Sequence, residues 1–136
     1  MHIIGKENRE EKYWFDFVEL FLYNIYIEWR NDMKIQRIFK LYDKYNEAYF
    51  AGKLDPVDIA VVDLQDAFGY TIQEGKEVSV ILIAKGMKNS QVRSTLLHEM
   101  IHVDQVRQGH KMDHGRKFNM MAKIICNAEK ISYRAF

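Results

Sequence analysis

The sequence predicts an α+β fold, a small three-stranded sheet with helices packed on it. Three observations predict it. Apolar and aromatic residues recur at helical spacing before residue 52, three short β-branched runs follow between residues 57 and 84, and two helix-period segments close the chain. At 136 residues the chain reads as one domain, large enough to bury a core without disulfide staples.

Taken in order, the first 32 residues read as an aromatic-rich helical extension and residues 33–136 as the domain proper. Tyr13, Trp14, Phe15, Phe17, Phe21, Tyr23, Tyr26 and Trp29 crowd the extension. Asp16, Glu19, Asn24 and Glu28 interrupt them, which argues for an amphipathic helix packed on the core rather than a membrane span. The stretch "YNIYIEW" also alternates like a strand. Asn31 or Asp32 offers the next N-cap, and Ile35, Ile38, Phe39, Tyr42, Tyr45 and Tyr49 then follow at helical spacing to a stop at Gly52.

The strand-like runs are "VDIAVVD", "AFGYTIQ" and "EVSVILIA". Glu74 to Glu77, "EGKE", reads as the hairpin turn between the last two. Both alternating sets of "EVSVILIA" are largely apolar, which predicts a strand covered on both faces. The same run is also expected to offer an edge to an extended peptide. A helix is predicted from Ser90 to Arg107, capped by Asn89 or Ser90 and ended by Gly109. The last helix is predicted from Gly115 to Lys130, with Asp113 as its cap and Phe118, Met121, Ile125 and Ala128 on one face.

Composition excludes several classes. A single cysteine, Cys126, leaves no internal disulfide and no multi-cysteine zinc ribbon, and its apolar setting "AKIICNA" suits a buried reduced thiol and a cytoplasmic location. The N-terminus turns polar before any long apolar region, so no secretory signal is expected. No apolar run approaches the roughly 18 residues of a membrane span. The net charge of +1 is unevenly divided: residues 1–84 carry 10 Lys/Arg against 15 Asp/Glu, and residues 85–136 carry 10 against 4. A basic C-terminal half can face nucleic acid, although a solvated helix face is the commoner cause of such a bias.

The chemistry concentrates in "STLLHEMIHVDQVRQGHKMDHGRKF", Ser94 to Phe118, which holds four of the five histidines. Positions four apart on a helix lie about 40° from each other, so His98 and His102 project from one face and can share one ion. Glu99 lies about 100° round from His98, out of the ligand plane but placed to serve as a general base toward a water in the site. A chain of this composition would show His-Glu-x-x-His by chance roughly once in a hundred. Two imidazoles and a carboxylate on so apolar a helix are costly unless paired or metal-bound. Catalytic zinc takes three protein ligands and one open position, so a third ligand is needed. His114, at a helix start beside Gly115, is preferred to His110, which directly follows the turn glycine; His2 receives no role.

"TLLHEMIH", with "HGRKF" after eleven intervening residues, resembles the SprT-like metalloprotease family. "LYDKYNEAYFAGKLDPVDI" is similar to that family's helix-to-strand entry through Asn46, Phe50 and Leu54, and "AFGYT" to its glycine-containing strand at Gly69. The resemblance covers about residues 35–125. It implies a zincin-like minimal metalloprotease core, one zinc ion held by His98, His102 and His114, and Glu99 as catalytic base. It also implies peptide-bond hydrolysis in protein substrates, DNA-associated proteins among them; the charge bias, not the resemblance, makes the basic C-terminal half the surface expected to meet DNA. The rival class is a non-catalytic zinc-stabilised module that binds DNA or protein; Glu99 argues against it, because a structural site needs no base and closes all four positions.

Overall fold

The structure, a computed structural model, describes residues 19–22 and 35–136. Most of the aromatic segment and His2 lie outside the described residues. Helix α1 occupies residues 35–50 and buries Ile35, Ile38, Tyr42 and Tyr45, the i, i+3, i+4 stripe of an amphipathic helix. Phe39, expected on that face, sits at its rim and is 37% exposed.

The end of α1 explains the spacing of Asn46, Phe50 and Leu54. Phe50 and Leu54 enter the core, while the Asn46 side chain grips the Leu54 backbone. Its Nδ2 donates to the Leu54 carbonyl at 3.0 Å and its Oδ1 accepts the Leu54 N–H at 3.1 Å. The Tyr42 hydroxyl donates to the Asp55 carbonyl at 2.6 Å. Loop backbone that would otherwise be buried without partners is thereby satisfied, and the chain is aimed into the first strand.

Strands β1 (Asp58–Val62), β2 (Gly69–Glu74) and β3 (Glu77–Ala84) form one sheet in the order β1-β3-β2. β3 runs parallel to β1 and antiparallel to β2, the latter pair joined by the predicted tight turn. Ile81 and Ile83 join the main core with Ile59 and Val61 on one face. Val80 and Leu82 pack with Ala60 and Val62 on the other, where Leu20, from the helical stretch 19–22, also rests. β3 is therefore covered on both faces, as its double apolar pattern predicts. It is not an edge: it lies between the other two, and the open edges among the described residues belong to β1 and β2. A strand this apolar has two faces to bury, and the centre of the sheet is where that is done.

Helix α2 (Asn89–Arg107) lies on the Ile81/Ile83 face and helix α3 (Arg116–Glu129) packs beside it. α2 buries 12 of its 19 residues, with Leu96, Leu97 and Met100 wholly enclosed. Its N-cap is Lys88 rather than Asn89 or Ser90, because Gln91 Oε1 accepts the Lys88 N–H at 3.1 Å and draws the helix start back by one residue. At its C-terminus Gly109 adopts φ 77°. The Gly109 and His110 N–H groups then bond back to the Val106 and Gln105 carbonyls, the paired bonds of a Schellman motif. α3 is capped by Gly115 rather than Asp113, whose carboxylate instead accepts the Gly115 N–H. Its inner face is Phe118, Ala122, Ile125 and Cys126; Ala128 points outward. Cys126 is buried and free, and burial pushes its thiol pKa up. No helix among the described residues is long and apolar enough to cross a membrane.

β2 meets α2 at Gly69. A methyl group built there would lie 2.6 Å from Thr95 Cγ2 and 2.9 Å from the Leu82 carbonyl oxygen, so only glycine lets the strand approach this closely. Gly69→Ala is expected to destabilise the protein by roughly 1–3 kcal/mol, since backbone must shift to admit the methyl. A urea midpoint unchanged from wild type would contradict that.

Candidate metal centre

α2 projects His98 and His102 from neighbouring turns toward α3, and the segment between the two helices returns His114 to them. His114 Nε2 lies 3.1 Å from His98 Nε2 and 3.2 Å from His102 Nε2. These three histidines are the group among the described residues whose ligand atoms converge closely enough to hold a metal ion, within 4.8 Å of one another. His110 is exposed and stands outside the group.

Phe118 ties the end of the stretch "HGRKF" to the histidines. Its ring, 4% exposed, stacks on His102 at 5.0 Å and meets His98 and His114 edge-on at 4.9 and 4.7 Å. One aromatic side chain in the first turn of α3 thus walls all three imidazoles. The His114 carbonyl accepts from Asn119 Nδ2 at 3.1 Å, and Asn119 Oδ1 accepts from the Tyr133 hydroxyl, which ties the third histidine to α3 and to the 3-10 turn Tyr133–Ala135.

Donor and acceptor logic assigns the tautomers of two of the rings. His98 Nδ1 faces the main-chain oxygen of Phe136 at 2.8 Å; that oxygen only accepts, so Nδ1 carries the proton. His102 Nδ1 faces Gln105 Oε1 at 2.8 Å. The same oxygen accepts the Asp113 N–H at 3.2 Å, and Gln105 Nε2 donates to the Asp113 carbonyl at 3.1 Å, which settles which end of the amide is which. His102 Nδ1 is therefore protonated too. Both rings present a bare Nε2 lone pair to one point in space, the state a metal ligand requires.

The spacing fits an ion. Nitrogen ligands at 2.0–2.1 Å from a tetrahedral centre stand about 3.3 Å apart, close to the His98–His114 and His102–His114 separations. Burial reinforces the neutral state: it holds His98 down to about 4, with the Phe136 oxygen working against it, and lowers His102 with Gln105 opposing. Without a cation, the one proton that His114 Nε2 could carry would serve only one of the two lone pairs, those of His98 and His102, that face it.

Glu99 is 6% exposed, and burial pushes its carboxyl up to about 7. The Thr71 hydroxyl, on β2, lies 2.8 Å from Oε1 and pulls the other way. One carboxylate oxygen is thus anchored to the sheet. Thr71, Gln105 and Phe136 were not legible as site residues, and Phe118 was singled out only as part of "HGRKF" and of the inner face of the last helix. Gln105 stands three residues after His102 on the same helix, a spacing that could have flagged it. Thr71 and Phe136 carry no local signal, because each reaches the site from a distant part of the chain.

The SprT-like family model matches residues 38–134, and the chain belongs to that family. Neither the curated proteins nor the solved structures returned a match.

His114→Ala is expected to weaken divalent-metal affinity by more than about 100-fold, beyond the range of an outer-shell change, and His110→Ala to leave it unaltered. Competition against a chromogenic chelator reads both, and the reverse order would reassign the third ligand.

Proposed function

We propose that the chain is a single-zinc metallopeptidase with a minimal zincin-like core. The observation that carries this reading is the convergence of three imidazole Nε2 atoms, two of them from the helix that also holds a buried, anchored carboxylate. Three imidazoles with no thiolate suit zinc in its catalytic form, three protein ligands with the fourth position open. Bound there, zinc would supply Lewis acidity, lowering the pKa of a water toward about 7 and polarising the scissile carbonyl.

Glu99 takes a proton from the attacking water as the new C–O bond forms, and delivers it to the amide nitrogen as the C–N bond breaks. Thr71 holds Oε1, so the other oxygen is the one presented to the reaction. An extended substrate pairs with the open edge of β2, the strand that contacts Glu99 through Thr71 and packs on α2 through Gly69. Membership of the SprT-like family supports protein substrates, and the basic C-terminal half supports substrates carried on DNA.

The test is cleavage of a DNA-binding protein, with and without single-stranded DNA, by wild type and by Glu99→Gln. Wild type should cleave and Glu99→Gln should lose about 10²–10⁴-fold in rate while retaining its zinc. Zinc-loaded, folded wild type that cleaves nothing, yet binds DNA or protein as the Glu99→Gln form does, would replace the peptidase with a binding module. Thr71→Val should lower kcat by about 10–100-fold with KM little changed, since it removes a hydrogen bond to a charged group and no substrate contact. An equal loss in KM would place Thr71 in substrate binding instead.

A further inference from the structure

Gln105 is 8% exposed, and all four hydrogen-bonding positions of its amide are occupied by groups of the candidate centre. Oε1 accepts from His102 Nδ1 at 2.8 Å and from the Asp113 N–H at 3.2 Å. Nε2 donates to the Asp113 carbonyl at 3.1 Å and lies 3.3 Å from Asp113 Oδ1. Asp113 immediately precedes His114, and its carboxylate accepts the Gly115 N–H at 3.0 Å, closing the turn on the far side of that histidine.

We infer that Gln105 is a positioning residue for the metal centre: one amide fixes the His102 tautomer and, through Asp113, pins the turn that carries His114. The two tasks are geometrically linked. A side chain one turn above His102 cannot hold both its ring and the Asp113 backbone unless the segment 110–114 lies against α2, which is the placement that brings His114 Nε2 within 3.2 Å of His102 Nε2. Neither leucine nor glutamate reproduces the set. Leucine matches the size and offers no polar atom. Glutamate can accept from His102 and from the Asp113 N–H, but it cannot donate and it sets a carboxylate against Asp113 Oδ1.

Those differences separate the two tasks. Nitrogen-15 spectra of the metal-free, 136-residue chain at neutral pH report which His102 nitrogen carries the proton, and chelator competition reports zinc affinity. The metal arm rests on the zinc reading above; the tautomer arm does not. In wild type and in Gln105→Glu the His102 proton should sit on Nδ1, while in Gln105→Leu it should move in whole or in part to Nε2. Zinc affinity should fall about 10–100-fold in both variants, as expected for loss of a partner that orients a ligand. Asn46→Ala, which loosens the fold far from the centre, should leave zinc affinity within about twofold of wild type and so separates positioning from general destabilisation. A wild-type His102 protonated on Nε2 would overturn the inference, as would a Gln105→Leu protein that keeps both the tautomer and the affinity. If Gln105→Leu fails to fold, the wild-type and Gln105→Glu spectra still decide the tautomer. Should wild type take up no zinc while His102 keeps its Nδ1 proton, the zinc reading falls and the tautomer assignment to Gln105 stands.

Discussion

Everything near the centre follows from the burial of α2. The helix is enclosed by the sheet on one side and α3 on another, yet its buried and half-buried residues include Arg93, Ser94, His98, Glu99, His102 and Gln105. In such surroundings an unpaired polar group costs several kcal/mol, so each must be met by a partner. Ser94 donates to the Ala135 carbonyl, Arg93 to the Tyr45 hydroxyl and Glu129, His98 to the Phe136 oxygen, Glu99 accepts from Thr71, and His102 and Gln105 meet each other and Asp113. The Nε2 atoms of His98 and His102 are left facing that of His114, and the three point together.

Because the partners come from β2, the turn before α3, α3 itself and the last residues of the chain, the centre is assembled only when the domain is. Arg93 illustrates the link from packing to chemistry. Its Nη2 lies 2.9 Å from Glu129, whose other oxygen accepts from the Tyr49 hydroxyl, so α1, α2 and α3 are joined through one carboxylate. Burial alone would raise the Glu129 pKa; the Tyr49 hydroxyl and Arg93 outweigh it and hold the carboxyl below its ordinary value. That node lies at the end of α2 opposite Gln105, so the helix bearing His98, Glu99 and His102 is tied down at both ends. A site held by rigid elements in this way keeps its ligand atoms in place with little reorganisation.

The segments that misled do so for identifiable reasons. Asn89 and Ser90 have better capping side chains than Lys88, but the Gln91 amide reaches the Lys88 N–H and draws the helix back by a residue. Asp113 looks like the cap of α3, yet its carboxylate is shared between the Gly115 N–H and the Gln105 amide, three residues ahead of the first helical residue. The run "EVSVILIA" invites two expectations, burial on both faces and an open edge; strand order allows only the first. Strand order is decided by which strands pair, and no single strand encodes it.

The sequence by itself determines the helix that carries His98, Glu99 and His102, because the i, i+4 spacing places both rings on one face wherever that helix lies. It also determines the hairpin at Glu74 to Glu77, the glycine that ends α2, and the stripe on α1, since all of these are governed by interactions within a few residues. Tertiary structure alone decides the rest. Which nitrogens carry protons, which carboxylate oxygen is anchored, and which side chain walls the three imidazoles depend on residues as far apart in the chain as Thr71, Gln105, Phe118 and Phe136. Tautomers and hydrogen-bond direction are set by partners in space, and no spacing along the chain encodes them.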